Sequence, residues 1–600
     1  MKTEKESAKL TLYVIAAILS LAGVWTLPWM LGAEGEKLWY TNSIWTVFLF
    51  LFLFFLINRV MKADFPEKKR GWLLPGCVGA GFAVCMTFGA QLDLKGSVPF
   101  KEGGMWLGIL VWAVIFSRVI RYFWERIAAG NMREQCLKEA KGSFFITSGI
   151  IFICYLPVFL AVYPGFFVYD AQDEYLQVVT RSFTTHHPLV HVLLLGGIIH
   201  LVFKLTGSYN LGIAVYTLVQ MAVMSGIFGW CVEKLKTRGM GKAGSILLTL
   251  YFGLCPVLVM FSLCSAKDGL FTGMLLIMVV LLKELCREPE AFLAKKGEML
   301  LFAAASLGMM LLRHNGFYAF LVFIPVLLLY LRKHWEKVIV LLAGITAAYF
   351  VVNGALSALL HADTSENQEM LTVPISQMAR VYAYEQDTLS EEEKEILYRY
   401  LPEEALAHYT PKLSDAVKIG FNNEAFAADK AGFFKLWLDL GIKHPFAYLN
   451  AWFMTSYGFW YPDTVIDVYR GNTVFTFTYG DSSYFGYEVE APGTRESKLP
   501  WLEELYRKLS LEIYQQKVPV VSMFFSPGFL FWVMIFILGF FGYQKSWDKV
   551  IPFLLPLLCW LTVILGPTYL VRYVVFLWAI VPLLLWELKF MLRADANTVV

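Results

Sequence analysis

Three carboxylates, those of Asp170, Asp173 and Glu174, lie close together in an aromatic-rich segment that follows Tyr163-Pro-Gly. Burial among aromatic side chains raises the pKa of a carboxyl group, whereas a neighbouring cation or metal lowers it. Either environment suits a general base that takes a proton from a hydroxyl or an amine. We therefore predict that Asp170, Asp173 and Glu174 are catalytic; the alternative is a loop whose acids only contact water.

The sequence Thr184-Thr-His-His-Pro188 predicts the start of a helix, because proline is favoured at the first helical position. Free backbone N–H groups at a helix start can bind an anion such as phosphate. His187 and His191 are four residues apart, a spacing that could also hold a metal ion. We predict that His187 contacts phosphate. Helix capping is the alternative, and a divalent cation stays open as a cofactor.

Three cations, Lys267, Arg313 and Arg572, occupy connections so short that they must lie near the ends of apolar segments. Ionisable groups at membrane depth cost roughly 2.5–3.5 kcal/mol each and are functional hypotheses by default. We predict that these three side chains neutralise the phosphate of a lipid-linked ligand. The alternative is that each reaches toward lipid headgroups.

Four further residues are expected on the same side of the membrane as these cations, namely Asp268, Asn315, Trp460 and Tyr461. Asp268 and Asn315 are adjacent to cations in short connections, and Trp460-Tyr461 ends a long polar stretch. We predict that these four residues contact the acceptor or close over it.

The composition indicates the kind of protein that positions these groups. Of the 600 residues, 58% are hydrophobic and only 16% are charged, whereas soluble proteins carry about 25% charged residues. These values indicate a multi-pass membrane protein and exclude a disordered, collagen-like or disulfide-scaffold chain. Basic runs interleaved with aromatic residues are absent, so we expect no nucleic-acid partner. The nine cysteines form no CxxC pair, which argues against thiolate metal chemistry.

We predict an all-α polytopic membrane protein with about 14 transmembrane helices, because about 20 apolar residues span the roughly 30 Å bilayer core. The predicted spans are residues 10–30, 43–60, 72–90, 104–122, 144–163, 211–231, 244–262, 268–284, 299–313, 316–331, 338–360, 519–542, 549–566 and 571–590.

The apolar segment 188–206 is predicted to be a juxtamembrane helix that does not cross the membrane. With this choice, Lys and Arg are concentrated in the connections on one side, which the positive-inside rule places in the cytoplasm. Both termini are then cytoplasmic, and the candidate site is extracytoplasmic.

Residues 361–518 are predicted to form an extracytoplasmic domain with small α+β content, because Asp and Glu outnumber Lys and Arg there. Ser390 followed by acidic residues predicts a helix start. The alternation within 465–490 predicts a β-hairpin. Apolar side chains at helical spacing in 431–457 and 501–516 predict helices at the membrane surface.

The chain therefore divides into four predicted parts. They are an N-terminal four-span module (1–140), a catalytic membrane core (141–360) with its first outer loop at 164–210, the extracytoplasmic domain (361–518) and a C-terminal three-span segment (519–600).

Six motifs carry a resemblance to a known superfamily: Tyr163-Pro-Gly with Asp170, His187-Pro-Leu, Ser265-Ala-Lys-Asp268, Arg313-His-Asn-Gly316, Trp460-Tyr-Pro462, and Gly566-Pro with Arg572-Tyr573. A carboxylate shortly after a span, followed by a histidine-proline-leucine helix start, resembles the GT-C superfamily of polytopic glycosyltransferases. Protein O-mannosyltransferases and the aminoarabinose transferases of lipid A belong to it. The motifs more closely resemble an uncharacterised bacterial family of such proteins, from about residue 150 to 590.

The resemblance implies a GT-C-like fold with juxtamembrane helices in the first catalytic loop. It also implies a polyprenyl-phosphate sugar donor and an inverting transfer on the outer face. Asp170 would be the base or a metal-associated carboxylate. The usual histidine-proline-proline-leucine reads His-His-Pro-Leu here, so that either His186 or His187 matches it. Lys267-Asp268 replaces a second acidic motif, which leaves the metal requirement open.

The predicted function is a glycosyltransferase of the cell membrane. Its partners would be a polyprenyl-phosphate-linked sugar, an acceptor that is a cell-envelope glycan, lipid or protein, and membrane lipids. A polytopic transporter or lipid flippase is the main alternative. A third is a non-catalytic partner of a cell-envelope synthesis complex.

Overall fold

The computed structural model describes residues 2–32, 43–62, 71–129, 143–466 and 489–594. Within these ranges every named element is a helix, and β-type pairing is confined to isolated bridges such as that between Phe166 and Cys264. The predicted α-helical class is therefore confirmed for the part of the chain described. The predicted hairpin at 465–490 lies almost entirely within 467–488, outside the described residues.

Four helices form the N-terminal module: α1 (Lys2–Leu31), α2 (Ile44–Met61), α3 (Leu73–Lys95) and α4 (Gly103–Ala129). Helix α2 begins with a capping box in which Ser43 and Thr46 exchange side-chain and backbone hydrogen bonds. Helices α3 and α4 approach closely at Gly79, where an added Cβ would lie 2.5 Å from the backbone nitrogen of Ser117.

Eleven helices follow in the predicted catalytic core. They are α5 (Phe144–Ala161), α6 (Ala171–Thr180), α7 (Leu189–Thr206), α8 (Tyr209–Thr237), α9 (Lys242–Leu254), α10 (Pro256–Leu263), α11 (Asp268–Arg287), α12 (Pro289–Ala294), α13 (Lys296–Leu312), α14 (His314–Tyr330) and α15 (Trp335–Leu360). Helix α11 is apolar over most of its length and almost completely buried, as expected for the central helix of a bundle.

Eight helices form the segment between α15 and the C-terminal spans. They are α16 (Thr372–Glu385), α17 (Glu391–Tyr400), α18 (Glu403–Ala407), α19 (Asp415–Lys418), α20 (Asn423–Ala428), α21 (Lys430–Lys443), α22 (Pro445–Ser456) and α23 (Pro500–Ser510). Helices from α16 to α22 enclose a separate hydrophobic core around Ile375, Leu397 and Phe433. Ser390 caps α17 as predicted, and the predicted helix 431–457 is divided into α21 and α22 at Pro445.

Four helices complete the chain: α24 (Val521–Phe525), α25 (Pro527–Tyr543), α26 (Trp547–Val563) and α27 (Phe576–Ala594). Helices α26 and α27 both pack against α11. Lys283 near the C-terminal end of α11 forms a buried ion pair with Glu587 of α27. Since Asp268 begins α11, the two ends of this helix lie about 30 Å apart at ~1.5 Å per residue.

Ten helical segments among the described residues are long and apolar enough to cross a membrane, or eleven if the bent pair α9–α10 counts as one span. The protein is therefore a multi-pass membrane protein. Each of the 14 predicted spans overlaps one helix or two successive helices. Four of those helices, α13, α14, α25 and α26, have only 17 residues. The number 14 stays a prediction.

Helix α7, the predicted juxtamembrane helix, is itself among the ten segments that pass the length and apolarity criterion. Its first turn contacts α8, because Nε2 of His191 lies 2.9 Å from the hydroxyl oxygen of Tyr216. Its last residue is joined to the start of α8 by Gly207 and Ser208 alone. Both ends of α7 therefore lie beside the N-terminal third of α8.

Candidate active site

The carboxylate segment is anchored to the start of α11 by backbone hydrogen bonds. The N–H of Phe166 donates to Leu263 at 3.2 Å, and the N–H of Ser265 donates to Phe166 at 2.8 Å. Gly165 has a φ of +128°, and a Cβ there would lie 2.4 Å from the Thr217 hydroxyl, so glycine is required. This short bridge sets the carboxylates at the start of α6 beside Lys267, just before α11.

Asp170, Lys267, Glu174 and His187 form one side of an ionic cluster. Nζ of Lys267 donates to Oδ2 of Asp170 at 2.6 Å, to Oε1 of Glu174 at 3.2 Å and to Nδ1 of His187 at 3.3 Å. Lys267 is 7% exposed and Glu174 only 1% exposed. Asp170 is more open, with 27% of its side chain exposed. The cluster is therefore accessible at Asp170.

Asp268, Arg313 and Arg572 form the other side of the ionic cluster. The two carboxylate oxygens of Asp268 accept hydrogen bonds from different guanidinium groups, Oδ1 from Arg313 and Oδ2 from Nε of Arg572 at 3.0 Å. Nη2 of Arg572 also donates to Oδ2 of Asp170 at 2.6 Å, which joins the two sides. Arg313 lies over the ring of Tyr573, 5.0 Å from its centroid. These contacts unite residues from the start of α6, the start of α11, the α13–α14 junction and the segment before α27.

A chain of hydrogen bonds behind the cluster holds Glu174 in place. Nδ1 of His191 contacts Glu174, and Nε2 of His191 lies 2.9 Å from the hydroxyl of Tyr216. Tyr216 donates to Oε1 of Gln220 at 2.9 Å, and the amide nitrogen of Gln220 donates to the carbonyl of Cys264 at 2.6 Å. The sequence analysis missed Tyr216 and Gln220. Their spacing, i and i+4 on an apolar helix, is the signal that could have found them.

This series of hydrogen bonds fixes the positions of the protons on Tyr216 and His191. Gln220 can only accept at Oε1, so Tyr216 must donate to it and accept from Nε2–H of His191. A second proton then lies between Nδ1 of His191 and the carboxylate of Glu174, because two lone pairs would otherwise face each other. His191 and Glu174 therefore share one proton, and the pair carries no net charge.

The electrostatics of the open side follow from burial and charge. Burial alone would raise the pKa of the Asp170 carboxyl, but Arg572 and Lys267 hold it well below its ordinary value. Burial would also raise the pKa of Glu174, and His191 and Lys267 lower it to about 2. Burial and the charge of Lys267 lower the pKa of His187 to about 4, so its imidazole is neutral at pH 7.

Counting these states gives the cluster a net positive charge. Lys267, Arg313 and Arg572 are cations, Asp170 and Asp268 are anions, and the His191–Glu174 pair is neutral. His187 adds no charge. Three cations against two carboxylates leave this buried group of side chains with a surplus of one positive charge, not counting the exposed carboxyl of Asp173 at its edge. The surplus favours binding of an anion within the cluster.

Asp173 and His186 lie at the open side of the site. Both side chains are exposed. Desolvation by the neighbouring protein and the negative charge of Asp170 raise the pKa of Asp173. Of the two adjacent histidines, His187 is the one that enters the ionic cluster.

Asn315 lies two residues from Arg313 and donates a hydrogen bond at 2.9 Å to Oγ1 of Thr562, which fixes α14 to α26.

Trp460 and Tyr461 are packed against α3 and α25. Both are buried, the carbonyl of Trp460 accepts from Nε1 of Trp532, and the ring of Tyr461 fills the space beside Gly89 of α3. The same segment contacts the part of the chain that carries Arg572. The hydroxyl of Tyr457 accepts a hydrogen bond at 2.9 Å from the hydroxyl of Tyr569, and Tyr569 precedes Arg572 by three residues. Tyr457 also donates to Asp93 of the N-terminal module at 2.8 Å.

One group of side chains in the described part of the chain has the composition and spacing of a metal site. One ligand atom each from Asp170, Glu174 and His187 lies within 4.8 Å of the others. His187 and His191 do not face a common point, because His191 is turned to Glu174 and Tyr216. The two histidines with i, i+4 spacing therefore point to different partners.

Comparison with known proteins identifies the family of this chain. No curated protein and no solved structure matches the chain. Residues 175–597 match a protein family, and this range includes Lys267, Asp268, Arg313 and Arg572 but begins five residues after Asp170. The match covers more than half of the chain, which therefore belongs to the family of unknown function DUF6020.

Proposed function

We propose that the protein is a membrane glycosyltransferase of GT-C type. It transfers a sugar from a polyprenyl-phosphate-linked donor to a cell-envelope acceptor on the outer face of the membrane. The observation that carries this proposal is the ionic cluster: residues from four distant segments form one site with a surplus positive charge, open at Asp170. A phosphodiester that links a sugar to a lipid carries one negative charge, which would balance this surplus.

The number of N–H donors that each cation uses within the protein indicates which of the three cations binds the phosphate. An ammonium group has three N–H donors and a guanidinium group has five. Lys267 uses all three donors within the cluster. Arg572 uses three of five and Arg313 one of five in contacts with described residues. Arg313 and Arg572 therefore hold the donor phosphate and stabilise the negative charge that develops as it leaves.

The carboxylates have different roles in the proposed transfer. The acceptor hydroxyl or amine attacks the anomeric carbon, the bond between that carbon and the phosphate oxygen breaks, and polyprenyl phosphate leaves. Asp173 takes the acceptor proton, since it is exposed and its pKa is raised. Asp170 is paired with two cations and is a weak base, so it orients the acceptor. Glu174 is buried behind Lys267 and acts as a positioning residue.

The proposed topology has both termini in the cytoplasm and the cluster on the outer face. Helix α7 then lies along the outer surface, a placement supported by the fact that both of its ends meet the N-terminal third of α8. In this topology the described residues of the predicted extracytoplasmic domain, 361–466 and 489–518, are on the same side of the membrane. Trp460 and Tyr461 would close the site indirectly, through the hydrogen bond between Tyr457 and Tyr569.

One observation favours the alternative, a transporter or lipid flippase. The pair α9–α10 is bent by 53° at Cys255-Pro256, and broken helices form substrate sites in many transporters. In those sites the free carbonyls at the break bind ions. Here two carbonyls in the last turn of α9, just before the break, accept hydrogen bonds: that of Phe252 from the Tyr155 hydroxyl and that of Tyr251 from the N–H of Cys255. They are therefore already occupied, and we rank the transferase first.

The test is an assay of donor cleavage in liposomes that contain the purified protein and polyprenyl-phosphate-linked hexoses or aminosugars. Mass spectrometry detects free polyprenyl phosphate. We expect Asp173→Asn to reduce its formation roughly 100- to 10,000-fold, the usual contribution of a general base. Asp439→Asn, an exposed acid on α21, is the matched control and should retain wild-type activity. Movement of the labelled lipid across the bilayer without release of sugar would instead establish the flippase.

A further inference from the structure

The Lys267 ammonium nitrogen is surrounded by three atoms of the kinds that bind a metal ion. Its nitrogen is surrounded by a carboxylate oxygen of Asp170, a carboxylate oxygen of Glu174 and a ring nitrogen of His187, at 2.6, 3.2 and 3.3 Å. These three acceptors are the group whose ligand atoms lie within 4.8 Å of one another. Two carboxylates and an imidazole form a donor set that suits divalent transition metals.

The charge and hydrogen bonding of this trio show what the ammonium group does. Lys267 is buried, and it donates to all three acceptors at once. Nδ1 of His187 must present its lone pair to the ammonium, as it would to a metal, because a lysine ammonium can only donate. A cation inserted between the three ligand atoms would have to displace Nζ.

We infer that Lys267 is a built-in cation that takes the place of a divalent metal in this chain. The side chain is attached to the start of α11 and places its charge where a metal would otherwise hold Asp170, Glu174 and His187 together. The native site therefore keeps its geometry without a divalent ion. Shortening Lys267 to alanine would leave a vacant, negatively charged pocket that recruits one.

This inference concerns the site of the proposed transferase, but its test does not depend on transfer. The purified protein is titrated with Mn²⁺ at neutral pH after removal of metals, and bound ion is measured by electron paramagnetic resonance. Wild-type protein is expected to bind no stoichiometric Mn²⁺, and Lys267→Ala is expected to bind one ion per chain. Adding His187→Ala to Lys267→Ala should abolish that binding.

Lys283→Ala is the matched control. It also removes a buried lysine that is paired with a carboxylate, Glu587, but no trio of ligands surrounds Lys283 among the described residues. It should bind no Mn²⁺. If Lys267→Ala binds no ion, or if its ion persists when His187 is also replaced, the inference is wrong.

The wild-type protein alone can also overturn the inference, should Lys267→Ala fail to fold. A stoichiometric Mn²⁺ ion in the wild-type protein that disappears in His187→Ala would show that the trio binds metal in the presence of Lys267. In that case the ammonium group is not a substitute for the ion. Loss of donor cleavage in the liposome assay would leave this result unaffected, so the two proposals fail separately.

Discussion

Replacement of Asp268 by asparagine tests whether the ionic cluster is a single charge-balanced unit. Asp268 is 1% exposed, and its two oxygens accept from Arg313 and Arg572. An asparagine side chain at this position would keep the shape of the aspartate but present an N–H group to one of the guanidinium groups. The substitution also removes one of the two carboxylate charges that were counted against the three cations, which raises the surplus charge of the cluster from about one to two by the counting of ionised groups.

The expected cost follows from the burial of these partners. Removing one member of a buried ion pair costs about 3–5 kcal/mol, because it leaves an uncompensated charge. We expect Asp268→Asn to lower the free energy of unfolding by an amount in this range. Arg313→Gln should also be destabilising. The double variant restores the charge balance, so its cost should fall short of the sum of the two single costs by roughly 0.5–3 kcal/mol.

The measurement is unfolding by sodium dodecyl sulfate in mixed micelles, followed by the fluorescence of the 19 tryptophans. Asp439→Asn, which replaces an exposed aspartate, should change the free energy of unfolding by no more than about 0.5 kcal/mol. The reasoning is refuted if Asp268→Asn costs less than about 1 kcal/mol, or if the costs of Asp268→Asn and Arg313→Gln add.

Two further predictions concern pH and packing. The pKa of His187 is lowered to about 4 in the folded protein. Below about pH 6.5 the unfolded chain therefore binds a proton at this histidine that the folded chain does not bind. The free energy of unfolding should consequently fall as the pH is lowered from about 6.5 to 4, by up to about 3 kcal/mol. His187→Gln should reduce the pH dependence of the free energy of unfolding across that interval. If the slope against pH stays as in the wild type, the lowered pKa of His187 is not its cause. Gly528→Ala should cost about 1–3 kcal/mol, because its Cβ would lie 2.1 Å from the carbonyl oxygen of Tyr461. Gly226→Ala, which meets nothing within 4 Å, should be neutral or stabilising by up to about 1 kcal/mol in the same unfolding assay.

The sequence predicted the helical fold because long apolar runs have few structural alternatives in a membrane. It also predicted that Asp170, Lys267, Asp268, Arg313 and Arg572 would meet, because each follows or precedes an apolar helix on the same predicted side. In the structure these five side chains are in contact. Their catalytic and phosphate-binding roles stay predictions.

The pairing within the site could not be read from the sequence. Which carboxylate faces which cation depends on the bridge between Phe166 and Cys264, a contact between segments about 100 residues apart. The position of Tyr461 depends on two glycines, Gly89 and Gly528, that admit its ring and backbone. Such close approaches leave no periodic signal, because the glycines belong to helices that are apolar over most of their length.

The central claim is that the cluster binds the phosphate of a lipid-linked ligand, and binding of polyprenyl phosphate tests it most directly. Affinity is measured in detergent with the wild-type protein, Arg313→Gln and the control Asp439→Asn, with the uncharged polyprenol as a second ligand. The account predicts that polyprenyl phosphate binds wild type and the control equally. It further predicts that Arg313→Gln binds it at least roughly tenfold more weakly, the value of one charge-assisted contact, and that polyprenol binds all three weakly. Equal binding of the phosphate to all three proteins, or equal binding of phosphate and alcohol to the wild type, would contradict it.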